Sequence, residues 1–401
     1  MAKRKIQKPT RFERMYKVWD YLRKNTDRRH PTSIAKMRKD ENINAYIGDK
    51  ETINRLLKDM ANIMNLEDGG SDYKPEAEWR LYFDDFKKFY GDKERYERDD
   101  SDEDDSYIAN VMRIKNLYYN RTFSEKEVDS IIEGIMATRT LDSKSAQELV
   151  RKVEDNMTTA FYKRTPRHIC KVQEPELADR ELLKDNLAII QKAIDDNVRI
   201  QFRFNGYSYE KKLEPVRAEM DELSPYYIVA SGGKYYLLAA KEYEGYKPNM
   251  SIWRIDLMTD IEIPGRNDRL HIKGIPRIPK KNVSNLPEKW SEDFQLKHLN
   301  MSFDKPVFVT LRIKSEKCED NPKKRVRPGY TFLHDWFGDS FTYIRTETKP
   351  PYDDIVRVEC SPYGMAHWAL QYSELLEVLE PESLREDIKS KIKALNEKYS
   401  L

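Results

Sequence analysis

The 401-residue sequence predicts an α+β chain of several domains. Apolar residues recur at helical spacing in the amino-terminal part, and strict alternation sets in at Val198. A strand-and-helix alternation then runs from Val307 to the end. These shifts of period divide the chain into 1–93, an amino-terminal helical domain, and 94–180, an acidic linker and helical spacer. They are followed by 181–275, a small bent β-sheet or barrel, and 300–401, a βαββαβ domain.

In the first domain, "FERMYKVWDYLRKN" lines up Phe12, Met15, Tyr16, Trp19 and Leu22 and predicts a first helix. Thr32 or Ser33 caps a short second helix carrying Ile34 and Met37. Asp49, after Gly48, caps a third with Ile53, Leu56, Leu57, Met60 and Ile63 on one face. "EWRLYFD" follows as a wing strand. Three short helices and a wing are the pattern of a winged helix-turn-helix, with the third helix in the major groove of DNA. Its expected DNA-binding residues are Lys50, Thr52, Asn54, Arg55 and Lys58, with Trp79 and Arg80 on the wing. Arg and Asn can contact guanine and adenine bidentately, whereas Lys mostly meets phosphate.

Charge supports that expectation. The chain carries a net +2, yet residues 1–39 hold 14 Lys/Arg against 3 Asp/Glu, a balance of +11. "ERYERDDSDEDD", from Glu94 to Asp105, holds 8 acids against 2 arginines. A basic arm followed by an acidic run points to nucleic acid as partner. A small helical bundle with a solvated basic face fits the same pattern.

"ERDDSDEDDSY" lacks apolar periodicity and reads as a self-repelling linker. Helices are expected over "YIANVMRIKNLYYN", over "FSEKEVDSIIEGIMATRTL", where Ser124 and Glu127 make a capping box, and over "SAQELVRKVEDNMTTAFYK".

"LLKDNLAIIQKAI" predicts a helix and "VRIQFRF" a half-buried strand. "GYSYEKKLEPVRAEM" is a return strand, and "PYYIVASGGKYYLLAAKEY" is a hairpin turning at Gly232-Gly233. "SIWRIDLMTDIEI" adds one strand. Lys211, Lys212, Arg217, Lys234 and Arg254 lie close in sequence to Tyr207, Tyr209, Tyr227 and Tyr235, a mixture suited to phosphate contacts and base stacking. The expected ligand-binding residues are Tyr209, Lys211, Arg217, Tyr227, Ser231, Lys234, Tyr235 and Arg254. Alternation places Tyr226 and Tyr227 on opposite faces, likewise Tyr235 and Tyr236, so one of each pair is expected to pack. The competing reading makes the tyrosines core and the cations a solvated strand face.

The order helix, "IQFRF", "KKLEPVRAEM", "PYYIVASGGKYYLLAAKE", "SIWRIDLMTDIEI" resembles the WYL domain, a small Sm-like barrel named for a Trp-Tyr-Leu triplet. Tyr235-Tyr236-Leu237 stands at that triplet with Tyr for Trp. Trp253, Arg254, Ile255 and Asp256 match the family's later strand, and Leu257 stands where it usually has a second arginine. The spacer and the tail from "VRVECSPYGMAHWALQY" onward are similar to the linking helices and carboxy-terminal extension of such proteins. The resemblance implies a homodimeric transcription regulator, a repressor in phage defence, that binds a double-stranded DNA operator and senses a nucleotide or single-stranded nucleic acid. The alternative is an RNA- or single-strand-binding accessory factor of a defence nuclease.

From Val307, "VFVTLRI", "TFLHDWF", "FTYIRTE", "IVRVEC", "PYGMAHWALQY" and "LLEVL" spell the ferredoxin-like order, closed by the helix "ESLREDIKSKIKALNEKY". The domain is expected to assist dimerisation or gate the ligand site. "NPKKRVRPG" reads as a cationic loop.

Catalysis is not expected. The six histidines form no HxxxH or HExxH pattern, there is no Walker loop or GxSxG elbow, and His168 beside Cys170 is the nearest base and nucleophile. Cys170, Cys318 and Cys360 suggest neither disulfides nor a metal site, so no cofactor or metal is expected. With no long apolar run and no secretory signal at the start, the expectation is a cytoplasmic protein without membrane contact.

Overall fold

The computed structural model describes residues 8–67, 72–84, 86, 114–138, 141–164, 180–314, 317–318, 321–325 and 329–400. The acidic run, the linker and the His168–Cys170 pair lie outside the described residues. The chain forms two compact units, Met1–Pro175 and Glu176–Leu401.

In the first unit, whose amino-terminal part is called the head, α1 (Arg11–Asn25) opens on a capping box between Thr10 and Glu13. Its buried residues are Val18 and Leu22, flanked by Met15 and Trp19. Residues 15, 18, 19 and 22 make one helical face, which leaves Phe12 and Tyr16 exposed, at 77% and 50%, instead of in the expected stripe. α2 (Ile34–Lys39) is capped by Ser33, and a short unforeseen turn of helix, α3 (Asn44–Ile47), buries Ile47 before Gly48. α4 (Lys50–Asn65) starts at Asp49, whose carboxylate accepts from Thr52 N.

β1 (Leu81–Tyr82) pairs antiparallel with β2 (Tyr118–Tyr119). The helix expected through residues 114–120 is therefore absent: Asn116 turns to φ 51° and Leu117 bridges to Thr32, burying its side chain in the head core. The buried Asn65 side chain completes this joint. Its Oδ1 accepts from Arg80 N and Leu81 N, and its Nδ2 donates to Leu81 O at 2.7 Å. Beyond it, α5 (Glu125–Ala137), with the Ser124–Glu127 capping box, packs on α6 (Ser143–Met157) through Val128, Ile132, Val150 and Val153.

The second unit begins with α7 (Arg180–Asp196), followed by β3 (Ile200–Tyr207), β4 (Leu213–Pro215), β5 (Asp221–Ser231), β6 (Lys234–Ala240), β7 (Met250–Arg254) and β8 (Met258–Glu262). Gly232 and Gly233 have φ of 57° and 75°, the conformation a two-residue hairpin demands. The strand expected over Ser251–Ile263 is broken by a 3-10 turn at Ile255–Leu257. β7 pairs with β6 at one end of the sheet and β8 pairs with β3 near the other, so this one segment curls the sheet back on itself. Two buried asparagines fasten the break. Asn186 donates to Ile255 O and Met258 O, and Asn205 donates to Leu257 O.

Residues 276–301, of which 276–299 lie outside the domains expected from sequence, cover one face of the curled sheet. Ile278, Val283, Phe294 and Met301 are buried there, and α8 (Phe294–Lys297) ends the cover.

The carboxy-terminal sheet holds β9 (Val307–Ile313), β12 (Thr342–Thr346), β13 (Asp354–Cys360) and β14 (Leu376–Glu380) in the order β12-β13-β9-β14, every pairing antiparallel. α9 (Thr331–Phe337) and α10 (Pro362–Gln371) bury Phe337 and Trp368 against one face, and α11 (Glu382–Tyr399) closes the chain. Asn321–Arg325 is not loop: it forms β11, paired with β10 (Lys317–Cys318).

Candidate functional site

In the head, α4 is buried around most of its circumference. Asn54, Lys58, Ala61 and Asn65 fall on one i, i+4, i+7, i+11 stripe and all are buried. Asn54 and Lys58 therefore point inward, not to the solvent face where the sequence pattern put them. Lys50 and Arg55 are exposed, Thr52 is half-buried, and Arg55 pairs with Glu51 at 2.8 Å. Ile63, expected on the inner stripe, is exposed.

Trp79 is core as well. It is 2% exposed, its indole donates to Lys74 O at 2.7 Å, and Phe86 meets it edge-on. Its size and the hydrophobic gain of burying it outweigh a place on the wing rim. Arg80 remains half-buried beside it.

The structure adds cations that spacing alone did not reveal. Arg38 donates to Gly48 O at 3.1 Å, and Arg14 lies so close to Gly48 that a Cβ there would fall 2.4 Å from its Nη1. Gly48, at φ 66°, thus serves both the turn and the close approach. Lys17 stands 6.0 Å over the Tyr46 ring. Arg14, Arg38 and Lys50 thus lie at the amino terminus of α4, where the first-turn N–H groups and the helix dipole already favour anions.

In the barrel, a bulge between Pro225 and Tyr227 lets both Tyr226 and Tyr227 reach the 276–290 cover, contrary to simple alternation. Tyr226 is 2% exposed and donates to Ile278 O. Tyr227 donates to Pro287 O and Glu288 O, and accepts from Lys280, whose ammonium stands 4.1 Å from the ring centroid. Tyr235 packs in the other core, with Leu237 and Trp253, while Tyr236 packs with Leu238 and Met250. Tyr227 and Tyr235 thus do not share a wall.

Two of the predicted cations, Arg217 and Arg254, have acidic partners. Arg217 lies 3.0 Å from the Asp221 carboxylate and over the Trp253 ring, and Lys241 donates to the same buried carboxylate. Arg254 grips Asp256 through Nε and Nη2, a contact that holds its guanidinium above the ordinary value. The register sets Arg254 opposite Tyr236, and Tyr207 is near enough to act on its charge. Burial pushes the Tyr236 phenol up. Tyr209 is 94% exposed in the β3–β4 turn beside Lys211 at φ 64°. Ser231 and Lys234 flank the Gly-Gly turn, half-buried. The structure therefore gathers Tyr207, Tyr236 and Arg254, commits Arg217, Tyr227 and Tyr235 to other contacts, and leaves Tyr209 and Lys211 in the β3–β4 turn.

Among the described residues no cluster of His, Cys, Asp or Glu is arranged to hold a metal, and no helix is long and apolar enough to cross a membrane. Burial pushes the Cys360 thiol up to about 12, far from a nucleophile's range.

No family model matches this chain, and no curated protein matches it. Among solved structures it is similar to proteasome accessory factor B/C (PafBC) of Arthrobacter aurescens at 15% identity and a TM-score of 0.22, over 72% of this chain and 40% of that one. The chain thus spans less than half the length of that structure. It is also similar to a CRISPR Cas-related protein at 13% identity and a TM-score of 0.30, over 77% of each chain. Scores this low give no residue correspondence, and the functional reading rests on the residues themselves.

Proposed function

We propose that the chain is a homodimeric DNA-binding transcription regulator, a repressor, whose barrel senses a nucleotide or oligonucleotide. The observation that carries this reading is the amino terminus of α4, where Arg14 and Arg38 reach Gly48 and Lys50 opens the helix, with Arg55 exposed one turn on. On this reading α2 and α4 are the two helices of a helix-turn-helix, β1 and β2 form its wing, and α4 enters the major groove. The barrel takes the role of the WYL domain that its sequence resembles, with Arg254, Tyr236 and Tyr207 meeting the ligand. The carboxy-terminal sheet, read as ferredoxin-like from its strand order, serves dimerisation or gating.

The test is a fluorescence anisotropy titration of the purified full chain against fragments of its own upstream DNA. A preferred fragment, with log affinity falling linearly in log salt, is the expected result. Equal affinity for all fragments would sink operator recognition.

A second reading, an RNA- or single-strand-binding accessory factor of a defence nuclease, draws on exposed Tyr209, Tyr243 and Tyr246 at the barrel turns, which suit base stacking. Single strands outcompeting every duplex would favour it.

A further inference from the structure

The head carries a second basic surface, at the opposite end of α1 from the Gly48 turn. The tight turn Asp27–His30 follows α1, and Asp27 organises it. One carboxylate oxygen accepts from Arg29 N and His30 N, both at 2.8 Å, and both oxygens lie 3.0 Å from the His30 ring nitrogen. The His30 ring stacks on Phe161 at 4.0 Å and 13°, and Ala160 N donates to Lys24 O at 2.9 Å. Arg121 ties the same joint, donating to Thr158 O at 2.7 Å. The turn is thereby fastened to the end of α6 before any ligand arrives.

This leaves Arg28 and Arg29 exposed at the tip, with exposed Lys163 two residues beyond Phe161, and none of the three makes an ion pair among the described residues. The only acid within the turn, Asp27, is fully used in shaping it. Three exposed cations held on a braced surface match a row of phosphates better than they match an acidic protein segment, because the turn offers no apolar anchor beyond the partly exposed Phe161 ring.

We propose that Arg28, Arg29 and Lys163 form a second phosphate-backbone contact, seating the duplex that flanks the site read by α4. The proposal rests on the DNA-binding reading above. α1 is 15 residues long, so its two ends lie about 22 Å apart at 1.5 Å per residue, the rise of about six base pairs. A duplex touching both ends gains affinity without base readout, and the gain depends on flank length.

The experiment titrates the full chain with a labelled 30-base-pair duplex of its preferred fragment, a random duplex and a single strand, each at several salt concentrations. The variants are Arg28→Ala/Arg29→Ala/Lys163→Ala, Arg28→Lys/Arg29→Lys and Arg55→Ala, checked for unchanged thermal melting. The triple variant is expected to weaken both duplexes about tenfold at low salt and to flatten the log–log salt slope by about 2 to 3, close to 0.9 for each phosphate no longer neutralised. The lysine pair is expected to retain most of the affinity. Duplex binding that Arg55→Ala weakens and the triple variant leaves untouched would overturn this proposal and spare the reading it rests on. No duplex binding by the wild type would overturn both. Binding of single strand alone, abolished in the triple variant, would assign the surface to the accessory-factor reading instead.

Discussion

The head and the barrel share a sequence signature, cations interleaved with aromatics, and use it in opposite ways. In the barrel Arg217 and Lys241 converge on Asp221, Arg254 on Asp256, and Arg199 bridges Glu222 and Glu242. In the head Arg28, Arg29, Lys36 and Lys39 are exposed and form no ion pair among the described residues. Spacing to the nearest tyrosine or tryptophan does not distinguish the two regions. What sets Arg217, Lys241 and Arg254 apart is a buried acid: Asp221 and Asp256 lie four and two residues from the arginines they hold. A cation beside an aromatic that no buried acid claims is thus free for a new partner, whereas a buried acid packs Arg217 against Trp253 and fixes Arg254 in place beside Tyr236 and Tyr207.

The sharpest way to break this contrast is to remove the acid. Asp221→Asn leaves Arg217 and Lys241 without their shared charge against a fully buried side chain. Removing one member of a buried ion pair costs about 3 to 5 kcal/mol, and the partial exposure of both cations reduces that to about 2 to 3 kcal/mol here. Urea unfolding of the second unit, followed by tryptophan fluorescence, reads it directly. An unchanged midpoint would mean that these cations are free for ligand after all.

A polar group with no charge makes the next comparison. The Asn186 amide, fully buried, serves two carbonyls at the β7–β8 break. Asn186→Leu leaves those carbonyls unsatisfied and should destabilise the chain by about 1 to 3 kcal/mol, measured by the same unfolding midpoints. The head offers the counterpart on binding. Arg55→Ala should weaken DNA binding about tenfold, or about 1.4 kcal/mol, while Lys50→Ala should lower affinity equally across sequences. Anisotropy against specific and random duplexes separates the two effects.

Much of the second unit was legible in its sequence because its local signals agree. Period-2 alternation, the Gly232-Gly233 pair and the order of strands and helices from Val307 each name an element that the structure contains. What was not legible has a physical cause in each case. Asn54 and Lys58 look polar, yet α4 is packed on the stripe they share with Ala61 and Asn65, which only the tertiary fold decides. The bulge that turns both Tyr226 and Tyr227 to one cover needs the unpatterned residues 276–290 to be in place. Leu117 joins the head core from beyond the acidic linker, a long-range contact that no local window contains. Arg14 and Arg38 reach Gly48 from two other helices for the same reason.

The smallest expected effect tests the rule at its limit: a basic group buried with no carboxylate in contact must give up its charge. His298 is that group. It is 5% exposed, stacks on Phe294 at 4.1 Å, and its Nδ1 lies 2.7 Å from Ser302 O. Asp304 acts on it only through space, its carboxylate committed to Ser361 and to Tyr363 N, and Lys297 opposes it. Burial therefore depresses the imidazole below its usual value near 6.5. The sign follows from proton counting. Below about pH 6.5 the unfolded chain binds a proton that the folded chain refuses, so stability is complete above that pH and declines as pH falls toward the folded value. Unfolding midpoints between pH 7.5 and 5 should fall in the wild type and fall less in His298→Gln, which keeps a donor for Ser302 O and has nothing to titrate. Identical pH profiles for the two proteins would show that His298 titrates in the folded chain as it does in the unfolded one, and that burial without an acid in contact does not cost a basic group its charge in this fold.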